Sequence, residues 1–289
     1  MVENSKVLKG KVCMVTGATA GIGIVTAKAL AQQGATVIVA GRNKEKSVST
    51  VDQIRKETGN HDVEYILADL SVQKEVRKLS DDFKSKFKRL DILVNNAGAV
   101  FDKRFETADG LEMTFALNHL SYFLLTDLLL DTIKASVPSR IINVSSDAHK
   151  GAKINFDDIQ GKKKYGAMRA YGQSKLANIL FTYELARKLE GSGVTSNALH
   201  PGFVASSFGS NMSGAFRLLI RFFQLFALSS EKGAETSIYL ATSLDVANTT
   251  GKYFVKKKEV STSVVSYDNK VAEKLWKVSE ELTNLSVSS

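Results

Sequence analysis

The stretch that most restricts this chain lies near its start. Val12-Cys13-Met14-Val15-Thr16 is a short apolar run that leads straight into Gly17-Ala18-Thr19-Ala20-Gly21-Ile22-Gly23. Apolar residues at helical spacing follow through Val25, Ala29 and Leu30, and Gly34 closes the pattern. An apolar run without alternation predicts a strand buried on both faces, the kind found in parallel sheets. Glycines in the turn behind it let a ligand approach the backbone. The helix that follows presents free N–H groups and a positive dipole end, which together suit a phosphate. Strand, glycine turn and helix in this order therefore predict an α/β sheet that takes a dinucleotide at its first turn.

The rest of the chain repeats the alternation. Apolar strand-like runs lie at 35–40, 63–67, 91–94, 140–144 and 194–200, and helical periodicity covers 44–58, 72–87, 110–132 and 171–189. A polar stretch, 147–168, precedes the last of these helices, and an amphipathic pattern at 268–285 predicts a terminal helix. Such regularity predicts one parallel sheet with helices on both faces. No linker, low-complexity tract or internal repeat divides the 289 residues, so one domain is expected, with a core at about 11–255. Between them, 216–228 is apolar except for Arg217, Arg221 and Gln224, which share a helical stripe.

Charge and cysteine usage narrow the function. The net charge of +9 favours anionic ligands, but the basic residues are spread out and no nucleic-acid motif accompanies them, so nucleic acid is not an expected partner. The runs Lys162-Lys163-Lys164 and Lys256-Lys257-Lys258 are expected to be solvated. The single cysteine, Cys13, excludes an internal disulfide framework and is expected inside the first strand. His61, His119, His149 and His200 lack metal-ligand spacing, so no metal is expected. The N-terminal segment does not read as a signal peptide, and no apolar run reaches the ~18 residues of a membrane span. A cytoplasmic protein is expected, with peripheral membrane contact through 216–228 as one reading of that stretch.

Several residues at predicted strand ends carry chemistry. The second strand ends in Gly41-Arg42-Asn43-Lys44. A carboxylate there would hold the ribose 2′-hydroxyl of NAD, whereas an arginine suits the 2′-phosphate of NADP, so Arg42 predicts NADP(H). The plainer alternative is that Arg42 and Lys44 only open a solvated helix. Asp69 could meet an adenine amino group or cap the helix near Ser71. Asn95-Asn96-Ala97-Gly98 suits a tight loop beside a ligand. Asn118 lies on an apolar helical face, where it either makes a core hydrogen bond to backbone or holds a water. Tyr171 and Lys175 are four apart in a helical run, so they share a face with Cβ atoms about 6 Å apart. An ammonium beside a phenol is expected to lower its pKa from about 10, as a general acid/base requires. Tyr253 and Lys257 have the same spacing but read as strand, where four steps span about 13 Å at ~3.3 Å each.

Taken together these pieces resemble the short-chain dehydrogenase/reductase superfamily over about Lys11 to Phe254. The matches run in order: Thr16-Gly17 through Gly21-Ile22-Gly23, Asp69, Asn95-Asn96-Ala97-Gly98, Asn118, Ser145-Ser146, Tyr171 with Lys175, and Pro201-Gly202. The resemblance implies a single-domain Rossmann-type, doubly wound parallel sheet and a catalytic tetrad of Asn118, Ser146, Tyr171 and Lys175. It implies a cofactor shell of Gly17, Thr19, Gly21, Ile22, Gly23, Arg42, Asn43, Asp69, Leu70, Asn96, Ala97, Gly98, Tyr171, Lys175, Pro201, Gly202, Val204 and Ser206. Tyr171 would exchange the proton, Lys175 would bind the nicotinamide ribose, Ser146 would hydrogen-bond the substrate oxygen and Asn118 would keep a relay water. Asn143 to His149, Ala170 to Phe181, His200-Pro201-Gly202 and Gly251 to Phe254 are similar to the retinol dehydrogenase branch. That branch implies NADP(H) and an apolar alcohol, aldehyde or ketone, retinoid or lipid-aldehyde-like, with the segment at about 205–230 as a substrate lid. Helix 171–189 would pair subunits in a homodimer or homotetramer. The alternative is a non-catalytic NADP-binding sensor or scaffold protein.

Overall fold

The computed structural model describes residues 7–203 and 228–285. Its strands are β1 (Val12–Thr16), β2 (Thr36–Gly41), β3 (Val63–Leu67), β4 (Ile92–Asn95), β5 (Ser139–Val144), β6 (Val194–His200), β7 (Tyr253–Val255) and β8 (Lys258–Glu259). They form one eight-stranded sheet in the order β3-β2-β1-β4-β5-β6-β7-β8. All pairings are parallel except the β7–β8 hairpin. The chain winds outward from β1 to β3, then crosses back to place β4 on the other side of β1, with Cys13 opposite Ile92 and Val15 opposite Val94. The carboxyl ends of β1 and β4 therefore diverge, and that crevice is where open α/β sheets bind ligands.

Helices cover both faces: α1 (Gly21–Gln32), α2 (Lys44–Thr58), α3 (Gln73–Lys86), α4 (Met113–Lys134), α5 (Ala167–Lys188), α6 (Ser230–Thr242) and α7 (Asn269–Leu282). Strand alternation assigns the layers. Met14, Ile38, Leu93 and Ile141 meet Phe83, Phe123 and Phe181 of α3, α4 and α5. Cys13, Val15, Val37 and Val39 point the other way, onto Leu30, Ile54 and Leu240 of α1, α2 and α6. The buried carboxylate of Asp91 sits just outside β4 rather than in it. It accepts the Val12 N–H at 2.9 Å and ion-pairs with Lys11 and Arg89, which ties the start of β1 to β4.

One feature departs from a simple periodic reading, and another bears it out. Helix α4 starts at Met113, where the Glu112 side chain accepts the N–H groups of Thr114 and Phe115, and it widens into a π-helical turn over Ala116–Leu120. Tyr253 stands in β7 while Lys256 and Lys257 form the hairpin turn at φ 50° and 64°, so this tyrosine and lysine do not pair, as the strand spacing predicts.

Helix α4 is long and apolar enough to cross a membrane, but 72% of its apolar window is buried inside the fold. Helix α7 is capped by Asp268 and packs on α5, with Trp276 stacked 5.8 Å from Phe181 and edge-on to Phe123 at 4.9 Å. Part of the helix face expected to pair subunits is thus covered by the chain itself. The expected lid lies almost wholly outside the described residues. Leu228, where the chain resumes, donates its N–H to the Phe203 carbonyl at 2.7 Å.

Candidate active site

The glycine turn is shaped by contacts that leave no room for a side chain. Gly17 has φ 64°, and a Cβ there would lie 2.9 Å from the Ala97 Cα. A Cβ on Gly23 would come within 2.4 Å of the Gly17 carbonyl oxygen and 2.8 Å of Asn96 Nδ2. The turn after β1 therefore packs directly on the loop after β4. Thr16 locks the two: its Oγ1 accepts the N–H groups of Asn96 at 2.9 Å and Ala97 at 3.1 Å. Asn96 adds a bond from Nδ2 to the Thr16 carbonyl at 2.8 Å. Asn95, its neighbour, points into the core and bonds Thr126 and Asn143. Behind the turn, α1 begins without a side-chain cap and without an acidic residue in its first turn, so its N–H groups stay available to an anion.

These loops, with the ends of β2, β3, β5 and β6 and the start of α5, enclose a cavity of about 630 Å³. Of the expected cofactor shell, Gly17, Thr19, Gly21, Ile22, Gly23, Arg42, Asp69, Leu70, Asn96, Ala97, Gly98, Tyr171, Lys175, Pro201 and Gly202 all line it. Asn43 does not. Its Oδ1 accepts the Lys46 N–H at 2.8 Å, so its side chain is the N-cap of α2, and its expected cofactor contact stays a proposal. Val204 and Ser206 lie outside the described residues. Arg42 is well exposed, with its guanidinium 3.8 Å from the Asp69 carboxylate. The other Asp69 oxygen takes the N–H and hydroxyl of Ser71, so neither residue caps α3 through its side chain.

At the far end of the cavity Ser146, Tyr171 and Lys175 converge. Ser146 accepts the Ala148 N–H at 3.2 Å and hydrogen-bonds Tyr171, whereas Ser145 is buried and donates to the Lys175 carbonyl at 2.7 Å. Lys175 Nζ stands 5.6 Å from the centre of the Tyr171 ring and donates to the Val144 carbonyl at 3.1 Å. The expectation that the ammonium acidifies the phenol is not met. Burial pushes Tyr171 up to about 12, against a smaller downward pull from Ser146. Burial also pushes Lys175 down to about 7. In a low-dielectric pocket burial disfavours the charged form of each group.

Asn118 lies in the π-helical turn of α4. Its amide is spent on backbone: Oδ1 accepts the Ala99 N–H and Nδ2 donates to the Ala99 carbonyl, both at 2.9 Å, and Nδ2 also meets Ser174 Oγ at 3.0 Å. These are the bonds of the core hydrogen-bonding alternative, and the relay-water role of Asn118 stays a proposal. Gly98 separates Asn118 from Lys175, and a Cβ there would lie 3.2 Å from Asn118 Oδ1 and 3.4 Å from Lys175 Nζ. Sequence reasoning missed Met168, Leu117, Ala148, His200 and Phe203, which also line the cavity. The helical spacing from Met168 to Tyr171 was the signal for the first of them. It also missed Tyr122, a fully buried phenol whose ring lies 5.8 Å from Lys175 Nζ and whose hydroxyl has no hydrogen-bond partner among the described residues.

Comparison with known proteins agrees with this geometry. A profile of the short chain dehydrogenase family matches residues 11–215. Mouse (Mus musculus) retinol dehydrogenase 12 is 45% identical over 96% of this chain and 88% of its own length. Human (Homo sapiens) retinol dehydrogenase 13 is 43% identical over 98% of this chain and 87% of its own. Among solved structures, an uncharacterized protein from Mycobacterium paratuberculosis superposes with a TM-score of 0.77 at 32% identity, covering 96% of this chain and 94% of that one. An NADP complex of Pseudomonas aeruginosa RhlG gives 0.69 at 28% identity, over 88% of this chain and 97% of that one.

Proposed function

Since this chain belongs to the short-chain dehydrogenase/reductase family and to its retinol dehydrogenase-like branch, we propose that it is an NADP(H)-dependent oxidoreductase acting on an apolar alcohol, aldehyde or ketone. The observation that carries the reading is the convergence of Ser146, Tyr171 and Lys175 on the cavity that the glycine turn opens. The cavity fits the cofactor: Gly17 and Gly23 leave backbone bare where a Cβ would collide, and α1 offers an uncapped N-terminus. Gly21, Ile22 and Gly23 would hold the pyrophosphate, Arg42 the 2′-phosphate, and Asp69 and Leu70 the adenine end. Thr19, Asn96, Ala97, Gly98, Pro201 and Gly202 complete the shell, with Val204 and Ser206 proposed beyond it. When bound, the nicotinamide supplies or takes the hydride.

The chain's own part is to manage the proton and the developing charge. A phenol raised to about 12 is fully protonated at neutral pH, so Tyr171 is set to give its proton to an oxygen that is becoming an alkoxide. Ser146 hydrogen-bonds that oxygen, and in a buried site such donors are worth more than in water. Lys175 would bind the nicotinamide ribose and offset the phenolate left on Tyr171. Apolar side chains in the cavity lining, Met168, Leu117 and Phe203, suit a retinoid or lipid-aldehyde-like substrate. The test is NADPH oxidation over aldehydes of increasing chain length, retinal included. Tyr171→Phe should lower turnover by about 10³-fold or more while NADPH still binds. Unchanged turnover in that variant would sink the assignment.

A further inference from the structure

Asn178 has no part in the chemistry proposed above, yet three segments of the site meet at its carboxamide. It is fully buried on α5, three residues beyond Lys175, so the two share a helix face. Its Nδ2 donates to the Asn118 carbonyl at 2.9 Å and to the Val144 carbonyl at 3.4 Å. Lys175 Nζ uses that same Val144 carbonyl at 3.1 Å. Asn118 in turn grips Ala99 after β4, and Val144 leads into Ser145 and Ser146 after β5. One amide thus joins the π-helical turn of α4 to the end of β5, whose last carbonyl also holds the lysine head group.

The amide is itself held in one orientation. Its Oδ1 lies 3.2 Å from His119 Nδ1, and His119 Nε2 lies 2.9 Å from Ser279 Oγ on α7. Burial pushes His119 down to about 4, so the ring is neutral at pH 7 and carries one proton. Because two carbonyls fix Nδ2 as the donor end, Oδ1 must accept. The ring proton therefore sits on Nδ1, which leaves Nε2 as an acceptor 2.9 Å from Ser279 Oγ, whose single proton is shared between Nε2 and the Leu275 carbonyl at 2.8 Å. His119, Asn178 and Ser279 are all fully buried, and none of the described residues of α7 lines the cavity.

We infer that Asn178 is a positioning residue for Lys175, and that His119 and Ser279 make its orientation depend on the docking of α7. A lysine has a long, rotamer-rich stem, and its head group stays where its acceptors hold it. A shift of the Val144 carbonyl moves the head group, and misplacement on the order of 1 Å costs catalysis about a hundredfold. The kinetic part of this inference rests on the oxidoreductase reading; the placement of the lysine does not.

The test compares wild type, Asn178→Ala, Ser279→Ala and the double variant. The readouts are kcat, KM, NADPH affinity, and the Lys175 titration midpoint by NMR of isotope-labelled lysine methylenes. Asn178→Ala should lower kcat about tenfold, with KM within about twofold and NADPH affinity, to which Lys175 also contributes through the ribose, lowered by less than kcat, a split that a merely structural loss would not give. Ser279→Ala should cost about threefold alone and nothing further on top of Asn178→Ala, because it acts through that residue. The lysine midpoint should rise by about one unit in Asn178→Ala, as the hole admits water and relieves the burial that depresses it. A folded Asn178→Ala with wild-type kcat overturns the inference, as does a Ser279→Ala loss that multiplies in full. Should Asn178→Ala not fold, Ser279→Ala decides: unchanged kcat and an unmoved lysine midpoint sink the idea. Should wild type turn over nothing, the oxidoreductase reading fails, and the lysine midpoint in Asn178→Ala still decides this inference.

Discussion

Replacing Arg42 by alanine tests the cofactor preference most directly. The guanidinium follows the end of β2 and is 71% exposed, and its contact with Asp69 is long at 3.8 Å. An exposed pair of that kind holds about 0–1 kcal/mol, so little is lost when Arg42 turns to a phosphate instead. A hydrogen bond to a charged group contributes about 1.5–3 kcal/mol, and exposure places this one at the lower end. Losing about 1.5 kcal/mol weakens binding roughly tenfold. The Asp69 carboxylate, left uncompensated, would repel the same phosphate and add to the loss. Fluorescence titration should therefore show NADPH affinity in Arg42→Ala falling at least about tenfold, with NADH within about twofold of wild type. The gap should narrow at 1 M salt, where the screening length is only ~3 Å. Equal losses for the two cofactors would refute the reasoning and leave Arg42 as no more than the approach to α2.

Two further outcomes follow from buried groups. Gly23→Ala places a methyl 2.4 Å from the Gly17 carbonyl oxygen and 2.8 Å from the Ala18 Cα, both backbone atoms that cannot swing aside. Overpacking of this kind costs about 1–3 kcal/mol. A lowered Tm together with loss of measurable NADPH binding is expected, and wild-type binding would contradict the packed turn. His119 titrates about 4 in the fold because burial lowers it from 6.5. Between those values the unfolded chain holds a proton that the folded chain refuses, so stability falls as pH drops from 6.5 towards 4. His119→Gln should be less stable at pH 7 but lose less between pH 6.5 and 4 in urea unfolding; parallel losses would show that another group governs this window.

Much of the scaffold was legible because its signals are local. The helix Lys44–Thr58 and the strands Val63–Leu67 and Val194–His200 have the limits that their patterns predict. Asn43 and Gly59, the latter at φ 67°, bound that helix chemically as well as periodically. The same Asn43 shows the limit of such reading: a polar residue at a strand end can serve a ligand or a helix, and only the fold decides. Asn95 and Asn96 are adjacent amides with opposite fates, because neighbouring strand residues face opposite ways and the sequence does not say which face meets the cavity. The π-helical turn at Ala116–Leu120 left no trace in a 3.6-residue period. The contacts from Asn178 to His119 and Ser279 join residues 59 and 160 positions apart through His119, beyond any local pattern.

The behaviour of the Tyr171 and Lys175 pair was hidden for a different reason. Four-residue spacing reports proximity, but burial is a property of the whole fold, and burial sets both groups here. A phenol raised to about 12 is protonated at pH 7, whereas an amine lowered to about 7 is about half protonated there, so burial leaves the phenol neutral and weakens the hold of the lysine on its proton. On the proposed reading, negative charge appears only as the Tyr171 proton leaves. At that moment a phenolate forms within reach of an amine that can hold a proton, in a medium where their attraction is strong. Had the lysine already acidified the phenol, the same attraction would stabilise the ground state and bring no acceleration. The cost of burying both groups thus keeps their interaction for the step in which negative charge develops.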